Sequence, residues 1–465
     1  MLVTALLTEI DTQTVKSLGT AHMPLMHRTN ATPPAAPSRR AFCAASALFL
    51  APAGLLRAAR LAAQVQAPAS PPATATRPDV AAIDHDRILA AAQRFLTQPP
   101  TPITSLPCAR SPGSAHDYYS EAEPSSLAEG NPPAASGPSA PAGSSTKPAA
   151  SPPPFTAHRD ALFILGLAVP ALTAAHLLTG DERFAGHAAQ WLRAWFADPA
   201  TRMTPRLDYG QVVIGQPEAG RCEGILETLP LVEIAQSIPF IASALSPSDQ
   251  LALRSWFADY LRWLTEPLDS GPRLAALARD RKDHHATSWL LQASAYALLS
   301  APAGDAPGSE SSALDELRHR FRTITLRAQI AAAGSFPHEL PSSAPYRDSL
   351  FNLDMMAAIC QLLSTRFESL WDYQLDDGPG MRSAIAYHFP FIADRALWPF
   401  RADATHFDQL PARRASLLFS ARAYQRPEYA ALWNTLPPDP AAPDILRTLP
   451  LHQPLLWVRQ PAHAA

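Results

Sequence analysis

The chain has 465 residues, 47% of them hydrophobic, enough for a sizeable core in one large domain or in two to three ordinary ones. A formal charge of −3 and an isoelectric point near 6.6 leave no basic footprint, so nucleic acid is not an expected partner. The 49 prolines are unevenly spread and mark low-complexity segments rather than a fold type.

Near the N-terminus, Ser38-Arg39-Arg40-Ala41-Phe42 sets paired arginines before an apolar run that ends about Leu56. Val65-Gln66-Ala67 then supplies small residues for cleavage. The run is short and interrupted by Gly and Pro, which fits a twin-arginine-type export signal better than a membrane anchor. The expectation is a leader over 1–67, a periplasmic or secreted product, and no stable membrane insertion after signal removal. The competing reading is a cytosolic N-terminal extension. Outside the leader stand Cys108, Cys222 and Cys360, odd in number and far apart. They form neither a metal motif nor a disulfide framework, and allow at most one bridge.

A Pro/Ala/Ser/Thr linker covers 68–78, and DVAAIDHDRILAAAQRFL from Asp79 then has helical spacing, with Ile83, Ile88, Leu89, Ala92 and Leu96 on one stripe. The island HDYYSE, His116 to Glu121, precedes a low-complexity insert at about 122–154 that is too polar to order itself. From His158 the pattern stays helical. Two helices broken at Thr179-Gly180-Asp181 come first, the second burying Phe184, Ala188, Trp191, Leu192 and Trp195. Further helices are expected over Ile225–Leu245, Ser248–Leu264, Thr287–Leu299, Leu314–Ala332, Ser349–Leu363 and Met381–Phe389. Helices joined by modest loops make antiparallel hairpins. An open superhelix would show a fixed period, and none is visible. The prediction is an all-α fold, an α/α toroid over 79–465.

Polar groups gather in the connections, where a rigid scaffold commonly carries its site. Four stand out: HDYYSE with His116 and Tyr118; Leu207 to Glu227 with Tyr209, Gln211 and Arg221; Arg279 to Gln292 with His284 and His285; and Gly334 to Asp354 with His338, Glu339, Tyr346 and Arg347. Arg, Tyr and His without a metal-ligand cluster suit elimination from a uronic acid. That reaction neutralises the carboxylate, removes the C5 proton and protonates the departing glycosidic oxygen. Hydrolysis would use two opposed carboxylates instead, for which Glu227, Glu339 and Asp348 are available. Each group also has a structural reading: His284 as a helix cap, Tyr346-Arg347 as a turn, His116 and Tyr118 as anchors, Arg221 as an ion-pair partner.

Several stretches resemble the alginate lyase family of α/α-toroid polysaccharide lyases. They are HDYYSE, YGQVVIGQPEAGRCEGILETLPLVEIAQSI, KDHHATSWLLQASAYAL, GSFPHELPSSAPYRDSLFNLD and WPFRADATHFDQLPARRASLLFSARAY. The resemblance runs from about Asp79 to Val458. It implies an anionic, uronate-containing polysaccharide as substrate, β-elimination, and neither metal nor cofactor. Asp283-His284-His285-Ala286-Thr287 resembles the family's Asn-Asn-His hallmark, which implies His285 as base and His284 as a donor to the substrate carboxylate. The sequence departs from the pattern where Pro341, Ser342 and Ser343 follow Glu339-Leu340 in place of an Arg. It departs again at Asp348, close to the expected Tyr, and in the missing aromatic segment after HDYYSE. Tyr346 is then the candidate acid, and Arg347 or Arg221 the candidate partner of the carboxylate. Tyr209, Gln211, His116, Tyr118 and Glu339 are the remaining candidates to bind substrate. The alternatives are a catalytically impaired glycan-binding toroid and a toroid glycoside hydrolase.

Overall fold

The computed structural model describes residues 73–122, 152–215, 219–266, 274–301, 312–376 and 378–459. The expected export leader and the insert at 123–151 lie outside the described residues. In chain order the principal elements are α1 (His85–Leu96), β1 (Tyr119–Glu121), α2 (Ala157–Thr179), α3 (Glu182–Leu192), β2 (Tyr209–Val212), α4 (Leu231–Ser237) and α5 (Pro247–Thr265). They continue with α6 (His284–Ser300), α7 (Pro345–Leu363), α8 (Met381–Ala393), α9 (Ala415–Tyr424) and α10 (Pro427–Thr435).

The toroid follows from two kinds of helix. One kind is amphipathic: α1 buries Ile88, Ala91, Ala92 and Phe95 at three- and four-residue steps, and α3 does the same with Phe184, Ala188 and Trp191. The other kind is apolar nearly all round. In α6 only His284, Leu298 and Ser300 escape burial, and in α7 only Arg347, Gln361 and Leu362. Helices of that kind need neighbours on every side. They form the inner row, with α2 packing on α4, α4 on α6, α6 on α7 and α7 on α9. Amphipathic partners cover them from outside: α1 and α3 on α2, α5 on α6, α10 on α9. Helix α2 is long and apolar enough to cross a membrane, yet it is mostly buried here as a core element.

The predicted break between α2 and α3 is present. Gly180 sits in the left-handed region at φ 71°, and its N–H donates to the His176 carbonyl to close α2. Other boundaries differ. The helix expected over Ile225–Leu245 is a tight turn at Cys222–Leu226, then α4, then a second tight stretch at Ile238–Ala244. Pro230 and Pro239 lack the N–H that a continuous helix needs. The segment expected over Leu314–Ala332 widens at Phe321–Thr325 between helices Ser312–Arg320 and Leu326–Gln329. Helix α7 starts at Pro345, four residues before the expected Ser349, with proline in the first turn, where a missing N–H costs nothing. Cys108, Cys222 and Cys360 are all free.

Two short parallel strands were not expected. β1 pairs with β2, Tyr119 opposite Tyr209, and so joins the HDYYSE island to the Leu207–Glu227 connection. A Cβ at Gly220 would lie 2.5 Å from the Gly210 carbonyl oxygen, so glycine lets the 220–224 segment run directly against β2. Gln211 and Arg221 are thereby brought to the same end of the toroid as the first turns of α6 and α7.

Candidate active site

Asp283 caps α6, its carboxylate accepting the backbone N–H of His285 at 3.1 Å. The same oxygen lies 3.0 Å from His285 Nδ1. A carboxylate only accepts, so Nδ1 carries the proton and Nε2 is left as the basic nitrogen. Burial opposes ionisation of Asp283, but the hydrogen bond from His285 and the Arg281 guanidinium hold its carboxyl well below the ordinary range. Burial, and then the charge of neighbouring His284, bring His285 down to about 4. His285 is a neutral base at neutral pH.

His284 is the opposite case. Glu339 reaches it from the loop before α7, Oε1 accepting the His284 backbone N–H at 2.7 Å and Oε2 lying 2.7 Å from Nδ1. Asn352 Nδ2 also donates to Glu339 Oε1 at 2.8 Å. Burial pushes the Glu339 carboxyl up, and the charge of His284 together with the N–H groups of His284 and Asn352 at Oε1 favours its ionised form against that. Against the cost of burial, that carboxylate raises His284 to about 9. His284 is an imidazolium at neutral pH, stacked on His285 at 4.3 Å between ring centroids.

The pair lies in a cleft of about 290 Å³ whose lining includes Gln211, Arg221, Glu223, Arg281, Asp283, His338, Glu339, Arg347 and Asp348. Three guanidiniums surround it. Arg281 is clamped by Asp283 at 2.6 Å and faces Glu223 at 3.4 Å. Arg221 pairs with Glu223 at 3.3 Å, and its buried Nη1 has no hydrogen-bond partner. Arg347 pairs with Asp348 at 3.0 Å. Its backbone N–H, like that of Tyr346, donates to Asp403 from the following segment. The first turns of α6 and α7 open onto this cleft, adding the positive ends of two helix dipoles. Each of these cations already has a carboxylate partner, and Arg221 Nη1 is a donor left for an anion.

His284, Glu339 and Asp348 offer ligand atoms within 4.8 Å of one another, a spacing that suits a cation. However, His284 Nδ1 and Glu339 Oε2 are already engaged with each other at 2.7 Å, and Asp348 is paired with Arg347. The donor set fits a metal poorly.

The expected residues therefore divide. His284, His285, Arg221, Arg347, Gln211 and Glu339 meet in the cleft, with Glu339 positioning His284. Tyr346 does not join them. It is fully buried on the core face of α7, packed against Trp398 and Phe407, and its hydroxyl donates to the Phe391 carbonyl at 2.8 Å. Burial pushes its phenol up, and it holds the following segment in place rather than reaching a substrate. Tyr118 is likewise buried, its hydroxyl donating to Glu227 at 2.9 Å. His116 lies in a separate surface depression, with Nδ1 2.7 Å from the Arg202 carbonyl. Tyr209 sits in β2 against Gly113 and is not among the residues lining the cleft. No tyrosine lines the cleft among the described residues.

Sequence reasoning left Asp283, Arg281 and Glu223 without roles. An aspartate immediately before an apolar helical run is a cap signal that could have found Asp283. Arg281, two residues earlier, follows from it as the partner of a buried carboxylate. Glu223 had no comparable signal.

The family model for alginate lyase matches residues 105–398, a span that contains the histidine pair, Glu339 and all three arginines. No curated protein matches the chain. Among solved structures, an alginate lyase from Bacteroides ovatus superposes with a TM-score of 0.62 at 21% identity, over 82% of this chain and 95% of that one. That likeness supports the α/α-toroid fold. An alginate lyase from Sphingomonas species A1 aligns at 13% identity over 80% of this chain and 93% of its own, with a TM-score of 0.44, too loose to add to it. With most of its length matched by the family model, this chain belongs to the alginate lyase family, a family of polysaccharide lyases.

Proposed function

We propose that the protein cleaves a uronate-containing, alginate-like polysaccharide by metal-independent β-elimination. The observation that carries this reading is the geometry of the histidine pair: two stacked imidazoles whose Nδ1 atoms lie against two different carboxylates, Asp283 and Glu339. A substrate carboxylate in the cleft meets His284 together with Arg221, whose Nη1 has no hydrogen-bond partner, and its neutralisation acidifies the C5 proton. His285 Nε2 takes that proton. The C5–H electrons become the C4–C5 double bond, the C4–O4 bond breaks, and the leaving oxygen takes the proton back from the His285 imidazolium. One group then serves as base and acid, which suits a cleft that no tyrosine lines.

The hydrolase alternative is less well supported. Glu339 is spent on three donors and Asp348 on Arg347, while Glu227 lines a different cavity. The sequence Ser38-Arg39-Arg40-Ala41-Phe42 supports an exported site of action, where such polymers are met.

The test is ultraviolet absorbance of the unsaturated product during incubation with alginate and other polyuronates. A rising signal, lost in His285→Ala by about 10²–10⁴-fold with helical content intact, is the expected result. A flat trace across the panel, with glycan binding retained, would instead establish a binding protein.

A further inference from the structure

Glu339 faces His284 through Oε2, 2.7 Å from Nδ1. One proton lies between those two atoms, and either can hold it. The result is an ion pair, or a carboxylic acid against a neutral imidazole. Burial penalises both charges and so favours the neutral pair. The facing charges do not choose between the two. Asp283 from the cap of α6 and Asp348 from α7 raise His284 and Glu339 alike, which tightens the hold on the proton without assigning it. Arg281 and Arg347 are engaged with those aspartates, His285 Nδ1 lies against Asp283, and His338 lines the same cleft.

The choice falls to the far side of the carboxylate. Glu339 Oε1 accepts the His284 backbone N–H at 2.7 Å and Asn352 Nδ2 at 2.8 Å. Asn352 is buried in α7, and its Nδ2 also donates to Gln329 Oε1 at 2.7 Å. The buried Thr287 hydroxyl of α6 donates to the same Gln329 oxygen at 3.0 Å. Two donors thus converge on an oxygen that can only accept, and Asn352 presents N–H rather than Oδ1 to Glu339. That orientation leaves Asn352 Oδ1 and Gln329 Nε2 buried without a partner among the described residues. Such groups are uncommon, and here they follow from turning both N–H bonds of Asn352 to acceptors. A proton on Glu339 Oε1 would need both amides to turn over together. A proton on Oε2 would neutralise the acceptor of two N–H groups and weaken both bonds.

We propose that Asn352, locked by Gln329 and Thr287, is a positioning residue that keeps the shared proton on His284 and off Glu339. Neither amide is among the residues lining the cleft, so both act through Glu339. The consequence for catalysis rests on the lyase reading of the cleft, while the place of the proton does not.

The experiment is nuclear magnetic resonance of the whole protein across pH, with ¹⁵N in the histidine rings and ¹³C in the glutamate carboxyls. At pH 7 the wild type should show both ring nitrogens of His284 protonated and Glu339 ionised. Asn352→Leu keeps most of the volume and removes the donor, so the pH at which Glu339 takes up a proton should rise by about one to two units. Gln329→Met leaves Asn352 in place but unlocked, and should move that pH in the same direction by about half as much. On a polyuronate that the enzyme cleaves, kcat/KM should fall in step with the charged fraction of His284. A protonated Glu339 in the wild type at pH 7 overturns the proposal even if neither variant folds. So does a folded Asn352→Leu protein whose Glu339 titrates as in the wild type. Rates unchanged after the proton has moved overturn the catalytic role. If no polyuronate is cleaved, the lyase reading fails separately, and the two titrations still decide where the proton lies.

Discussion

Replacing Glu339 with Gln tests the electrostatics of the histidine pair directly. In the wild type the carboxylate lifts His284 from an ordinary value near 6.5 to about 9. That difference corresponds to roughly 3 kcal/mol in favour of the charged imidazole. The amide keeps the size of the side chain and an oxygen for Asn352, but it carries no charge, and burial then pulls His284 down against only the charges of Asp348 and Asp283. At pH 8 the charged fraction should fall from roughly 90% to a few per cent, and the rate about 30-fold with it. At pH 5.5 the loss should be several-fold smaller. The acid limb should move as well, because the charge of His284 is part of what holds His285 at about 4. The wild-type profile of kcat/KM is then a broad bell between about 4 and about 9, and the variant's a narrow one. The assay is initial rate by ultraviolet absorbance at constant ionic strength, with far-ultraviolet dichroism as the control for folding. An alkaline limb that stays near 9 in the variant would refute the assignment of His284 as the required cation.

Tyr346→Phe should leave kcat within about twofold and cost about 1 kcal/mol of stability through the lost bond to the Phe391 carbonyl, read by denaturant titration. A hundredfold fall in kcat with the fold intact would restore Tyr346 as the acid. Asp283→Asn removes the negative charge behind His285 Nδ1 and leaves a neutral amide in its place, and should lower kcat by about 10²–10⁴-fold with little change in KM, measured on polymer. Thermal melts should show the ion pair too. The raised His284 value means its contribution is full below about 6.5 and is lost as pH climbs through about 9, a slope that Glu339→Gln should remove.

Much of the fold was legible because burial leaves periodic traces. The stripe in α1, the α2–α3 break at Gly180 and the unbroken apolar runs of the inner helices all follow from side chains that must leave water. Prolines decided two of the three misread boundaries. Pro230 and Pro239 divide the expected Ile225–Leu245 helix, and Pro345 starts α7 early. That last boundary cost the most. From a start at Pro345, Tyr346 falls on the stripe with Leu350, Leu353 and Ala357, all buried, and the core assignment follows. From a start at Ser349, Tyr346 looks like a loop residue free to face a substrate. The strand pair was illegible for a different reason: runs of three and four residues carry too little alternation, and their pairing joins segments about ninety residues apart.

The histidine pair shows where sequence reasoning stops. Adjacent residues within a helix do not share a face, which argues against both serving one site. The geometry escapes that rule because His284 and His285 open α6 and have no preceding helical turn to separate their surroundings. Each ring can then turn its Nδ1 to a different carboxylate, one from its own cap and one from a loop 55 residues on. The local partner was readable from Asp283. The distant one was named as a substrate contact or as a hydrolase carboxylate, since nothing in a linear sequence says that Glu339 points back at His284. Yet that distant contact separates the two titrations: with Asp283 alone, two stacked imidazoles would compete for one proton near neutrality. Glu339 fixes the proton on His284, and the repulsion between neighbours keeps it off His285. The cation and the base of the proposed elimination are thus made by the same pair of contacts, and neither role survives without the other.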